Sequence, residues 1–144
     1  MTGQVVDMPG WWHTRWGMSE SEMIEALSAS KLHKIDREDF GDYYADYLLK
    51  DAEHESLKFD VFFQMSRKQD RLSRVVMRHE LPLGAPQDTQ IKTLFNALVR
   101  DFGGPEMLDR PNHYRWTLPS TTVQLHTINL PNSLNLISLI FEPG

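Results

Sequence analysis

Residues 57–65 alternate without a break. Leu57, Phe59, Val61, Phe63 and Met65 fall on one side of an extended chain, and Lys58, Asp60, Phe62 and Gln64 on the other. Successive side chains of a strand point to opposite faces, so this run specifies a half-buried β-strand with one apolar face. The polar stretch Arg67-Lys68-Gln69-Asp70-Arg71 follows, and then Leu72, Val75, Val76 and Met77. The spacing predicts an antiparallel hairpin with its loop around 67–71.

Two segments carry helical signals. In Met18-Ser19-Glu20-Ser21-Glu22-Met23, Ser19 and Glu22 stand at the spacing of a capping box, and Met18 and Met23 at that of a hydrophobic staple. Glu20 and Glu22 also suit the positive end of a helix dipole. A helix is predicted from about residue 20, with Met23, Ala26 and Leu27 on its buried stripe, fading near Ser28-Ala29-Ser30. After breaks at Pro82, Gly84 and Pro86, Asp88 or Thr89 can cap a second helix. Ile91, Leu94, Phe95, Leu98, Val99 and Phe102 recur at amphipathic spacing, and Gly103-Gly104-Pro105 ends the run.

The rest is extended. Residues 36–55 fit a helix or a strand; their aromatic content and Gly41 favour a strand at about 43–49. Tyr114, Trp116 and Leu118 alternate, Pro119-Ser120 turns, Val123, Leu125 and Ile128 follow, and Asn129 to Ser133 turn again. The final strand, about 134–141, is apolar on both faces, as expected of a strand that is covered twice, sits centrally or meets a partner. The expected fold is a two-layer α+β domain, an antiparallel sheet of about six strands with two helices on one face, in an order resembling a duplicated αβββ unit.

A chain of 144 residues suffices for one domain, here residues 1–144, and too few remain for a comfortable second one. Absence of cysteine removes disulfides, thiolate metal sites and a cysteine nucleophile. Residues 1–10 show neither a basic region nor an apolar stretch of signal-peptide type, and no run is long enough to span a membrane, so a cytoplasmic protein is expected. Export after removal of a signal is the alternative. The net charge of −5 disfavours nucleic acid as the main partner. That charge nevertheless combines unlike patches: eight acids and two bases over residues 36–55, against five bases and one acid over 67–78.

Three features could carry binding. Trp11, Trp12 and Trp16 crowd the front, where stacked indoles can hold a sugar, a base or a proline-rich peptide. They can equally pack under the first helix, and the closeness of Trp16 to the staple favours that role. Arg67, Arg71, Arg74 and Arg78, with Lys68, make a basic hairpin that could touch phosphates or neutralise the acidic 36–55 segment within the fold. The six histidines show no metal-ligand spacing, and the acids lack a cation-loop pattern. No nucleophile elbow, phosphate loop or dinucleotide turn occurs, so no catalytic residue, metal or cofactor is assigned and an enzyme is disfavoured.

The stretch Trp16-Gly17-Met18-Ser19-Glu20-Ser21-Glu22-Met23-Ile24-Glu25-Ala26-Leu27 resembles a bacterial opening, Trp-Gly-Met-Ser/Thr-x-x-Glu-aliphatic, of small uncharacterised and often exported proteins. A looser version is similar to the start of α+β scaffolds such as the lipoprotein subunit of the outer-membrane β-barrel assembly machine and the β-lactamase inhibitor proteins. The resemblance implies an interaction fold. It transfers no catalytic residues, and without a lipobox cysteine membrane anchoring does not carry over.

The leading expectation is a non-enzymatic module that binds another protein through an exposed sheet face or edge, with a homodimer through the apolar last strand as one way to cover it. The alternative is a small-ligand binder or enzyme, with a pocket between sheet and helices or beside the tryptophans, and converging polar groups such as His126 or Arg115. An acidic secretion-type chaperone is a third reading, although such chaperones usually end in a helix.

Overall fold

The alternating run forms the strand it specifies. In the computed structural model, which describes residues 9–54, 57–81, 88–108, 113–129 and 135–144, β3 (Leu57–Ser66) pairs antiparallel with β4 (Leu72–Leu81). Leu57, Phe59, Val61, Phe63 and Met65 are all buried in the main core, as the alternation requires. Pro82, Gly84, Pro86 and the turn beyond Asn129 lie outside the described residues, as do residues 1–8.

Helix α1 (Glu20–Ala26) starts where its sequence signals say. The Ser19 side chain accepts from the Glu22 amide at 3.2 Å, and Glu22 accepts from the Ser19 amide at 3.0 Å. Met23 and Leu27 are buried, whereas Ala26 is only partly so. The segment before α1 is tied to the start of β4: the Gly17 amide donates to the Leu72 carbonyl, and the Leu72 amide to that of Met18. Helix α2 (Asp88–Phe102) ends at Gly103, whose φ of +91° is left-handed and whose amide donates back to the Val99 carbonyl.

The remaining strands are β1 (Leu32–Asp39), β2 (Tyr43–His54), β5 (Glu106–Met107), β6 (His113–Thr117), β7 (Thr121–Asn129) and β8 (Asn135–Pro143). One antiparallel sheet holds them all, in the order β1-β2-β3-β4-β8-β7-β6-β5. The α+β class therefore stands, but the sheet has eight strands and not about six. The two additions are the outermost ones. β1 is missing from the hydrophobic pattern because it is charged and carries no alternation; it is extended through its pairing with β2. β5 has only two residues. The chain thus runs as αββββ twice, not αβββ twice, and the two units join where β4 pairs with β8.

That junction gives the last strand the central position, one of the three expected from its apolar faces. β8 sits centrally between β4 and β7, which accounts for its apolar character, so the argument for a dimer across it loses its basis. The true edges are the charged β1 and the very short β5, two forms in which proteins blunt edge pairing.

Candidate functional site

Both helices pack on the sheet face that carries Phe59, Val61 and Phe63. On this face, where the two units meet, a cleft of about 610 Å³ opens. Its sheet side is Leu49 and Ala52 of β2, Met77 of β4, and Leu139 and Phe141 of β8. Leu98 and Phe102 of α2 form one wall, and Trp11 and Trp12 stand on another. The polar lining is Ser30, Lys31, Lys50, Glu53, His54 and Asp101. The size and the mixture, an apolar body with a few polar groups, suit a small-ligand site.

The aromatic wall is built by the chain before α1. Trp11 packs edge-on against buried Phe63, with ring centroids 5.6 Å apart, and Trp12 stacks edge-on against Trp11 at 5.8 Å. The turn is closed by Thr14, whose amide donates to the Trp11 carbonyl at 2.9 Å and whose hydroxyl accepts from the Trp11 amide at 3.2 Å. Gly10 is needed beneath it, because a Cβ there would run into the Thr14 carbonyl. Trp12 itself has a φ of 53°, a left-handed conformation that bulky residues avoid, and is 57% exposed. Trp16 plays another part: its Nε1–H donates to Thr121 Oγ1 at 2.8 Å, fastening the N-terminal segment to β7. Of the three tryptophans, Trp11 and Trp12 border the cleft and Trp16 does not.

The opposite rim contains a β-bulge. Leu49 pairs with Val61 but Ala52 with Phe59, so β2 carries one residue more than β3 in this interval. The extra residue is accommodated at Asp51, with a φ of 55°; its amide donates to Asp60 Oδ1 at 3.3 Å. In a regular strand Leu49 and Lys50 would point to opposite faces. At the bulge both line the cleft. Of the left-handed non-glycine residues described, Trp12 lines this cleft, and Asp51 lies in β2 between Lys50 and Ala52, which line it.

No family model, curated protein or solved structure matches this chain. The cleft is therefore interpreted from its own geometry.

The basic hairpin lies elsewhere, and its arginines are engaged within the fold. Arg67 donates to the Gly41 carbonyl at 2.6 Å and pairs with Asp39 at 2.8 Å, which holds the Asp39 carboxyl below its ordinary range. Arg71 donates to the Gly17 carbonyl at 2.8 Å. Arg74 donates to Gln64 Oε1 at 2.5 Å, lies over the Tyr43 ring at 4.2 Å and stands 3.8 Å from Glu142. Arg78 lies over the Phe62 ring at 4.8 Å and reaches Glu38 at 3.8 Å. Asp39 and Glu38 belong to the acidic 36–55 segment.

His126 and Arg115 do not line the cleft. His126 stacks on His113 with centroids 4.6 Å apart, and Arg115 pairs with Glu106 at 2.6 Å. Among the described residues no cluster of three or more His, Asp or Glu side chains could hold a metal ion, and no helix is long and apolar enough to cross a membrane. The sequence reading missed the sheet side of the cleft. Met77, Leu139 and Phe141 look like ordinary core positions, and nothing local distinguishes a core position that ends up facing a cleft.

Proposed function

We propose that this protein is a binding module for a small, largely apolar ligand, held in the cleft between Trp11, Trp12, α2 and the centre of the sheet. One observation carries the reading: an exposed indole on a left-handed backbone, Trp12, stands over an apolar cleft of about 610 Å³. Such a conformation costs of order 1–3 kcal/mol and persists where surrounding structure enforces it, commonly at ligand clamps. A bound ligand would bury the ring and offset that cost. The reading is one of binding without a reaction, since the sequence carries none of the catalytic motifs considered above.

A protein interface through the open sheet face draws less support. On that face Phe62 and Val76 are buried, with Arg78 lying over the Phe62 ring. The exposed large apolar side chains among the described residues are Trp12, Ile24 and Met107, which do not form a patch there.

Titration with the neutral fluorophore N-phenyl-1-naphthylamine tests the reading. Saturable one-site binding that quenches tryptophan emission is expected. Ala52→Phe, which fills the cleft, should abolish it, and Trp12→Ala should weaken it with the thermal melt unchanged. Binding that neither variant alters would place the ligand elsewhere and overturn the proposal.

A further inference from the structure

The cleft has a polarity of its own. Leu32 of β1 pairs with Leu49 of β2, and Lys31 and Lys50 are the residues next beyond that pair. Both lysines line the cleft. Neither ammonium is engaged by an acid among the described residues, whereas Arg37, Arg67, Arg74, Arg78 and Arg115 each have a carboxylate partner. The other charged groups of the lining are Glu53 and Asp101, with the titratable His54 beside them. Asp101 is held by the neighbouring Arg100, at 3.1 Å from its Nε. That leaves two uncommitted cations against one uncommitted acid, Glu53, at the mouth of an apolar cavity.

We infer that the ligand is an amphiphile with a single anionic head, a carboxylate of the fatty-acid type, whose tail enters between Trp11, Met77, Leu98 and Leu139 while its head sits between Lys31 and Lys50. The inference rests on the apolar-cleft reading and adds the head group to it. The bulge at Lys50–Asp51 has a role in this arrangement, since it lets Lys50 line the same cleft as Leu49. An anionic head between the two ammonium groups would accept a charge-assisted hydrogen bond from each.

The test compares three ligands of equal tail length, decanoate, decanol and decyltrimethylammonium, at pH 7.5 by calorimetry, with tryptophan emission as a second readout. Decanoate is expected to bind roughly tenfold more tightly than decanol, equivalent to about 1.4 kcal/mol, and the cation more weakly than either. The Lys31→Gln/Lys50→Gln protein should bind decanoate and decanol alike, and added salt should reduce the decanoate preference in the native protein. If decanol and decanoate bind equally to the native protein and Ala52→Phe blocks both, the head-group assignment is overturned while the cleft reading stands. If the cation binds best, Glu53 governs the mouth and the assignment is likewise overturned. If none of the three binds, the cleft reading fails with it. A preference for acidic peptides, with none of the three amphiphiles bound, would assign the cleft to a protein partner and overturn both.

Discussion

The two αββββ units are built to opposite proportions. In the first, a helix of seven residues lies on strands of up to twelve; in the second, a helix of fifteen residues lies on strands of two to nine. At 1.5 Å per helical residue, α1 is about 10 Å long and α2 about 22 Å, against roughly 40 Å for β2. The second unit closes over its sheet: Phe95 and Phe102 pack around buried Trp116, whose Nε1–H donates to the Gly103 carbonyl at 2.8 Å. The first unit is arranged differently. Its short helix contributes Met23 and Leu27 to the core, and Trp11 packs beside it on Phe63. The cleft lies where the Trp11–Trp12 turn of the first unit meets Leu98 and Phe102 of α2 in the second.

The largest effect expected from breaking the comparison is at the seat of α2. Trp116→Ala should cost about 3–5 kcal/mol in urea unfolding, because it removes the ring on which the whole helix is closed. A loss under about 1 kcal/mol would show that α2 is held by something else. In the first unit, Tyr44 donates its hydroxyl to Asp70 at 2.6 Å, and burial, reinforced by that carboxylate, pushes its pKa up to about 12. The unfolded chain loses this proton near pH 10, so the contribution is complete below about 10 and is lost as pH rises through about 12. Tyr44→Phe should cost about 1–2 kcal/mol at neutral pH and flatten the stability profile over that alkaline window; an unchanged profile would refute the assignment. Ser19→Ala should cost about 1 kcal/mol, seen as a lower urea midpoint, by removing one half of the capping box. It should also loosen ligand binding if α1 positions the tryptophan turn. The smallest effect is at the edge of the second unit: Glu106→Gln leaves Arg115 without its carboxylate and should change stability by about 0–1 kcal/mol. A larger loss there would mean that the two-residue β5 is more than a blunt edge.

The legibility of these features follows their range along the chain. α1, α2 and the β3–β4 hairpin could be read because capping, 3.6-residue periodicity and alternation are local. β1 could not, because an edge strand needs no apolar alternation when one of its sides meets water; its order comes from β2. Trp11 and Trp12 were recognised as candidates, but not what they face. Leu139 and Phe141 stand across the cleft from them and more than a hundred residues away in sequence. The arginines of the hairpin were legible as a charge cluster, yet their commitment to Asp39, Glu38, Gln64 and Glu142 depends on how the hairpin meets β1, β2 and β8.

By itself, then, the sequence determined an α+β chain of hairpins and two helices, the start of one helix, the stop of the other and the apolar face of β3. These are short-range matters, set by backbone hydrogen bonding and by which side chains share a face. The tertiary structure alone decided that β4 and β8 join the two units, that the last strand is central, and that Leu139 and Phe141 line one cleft with Trp12, Lys31 and Lys50. Those outcomes depend on strand order and on which distant elements meet, which no local pattern encodes.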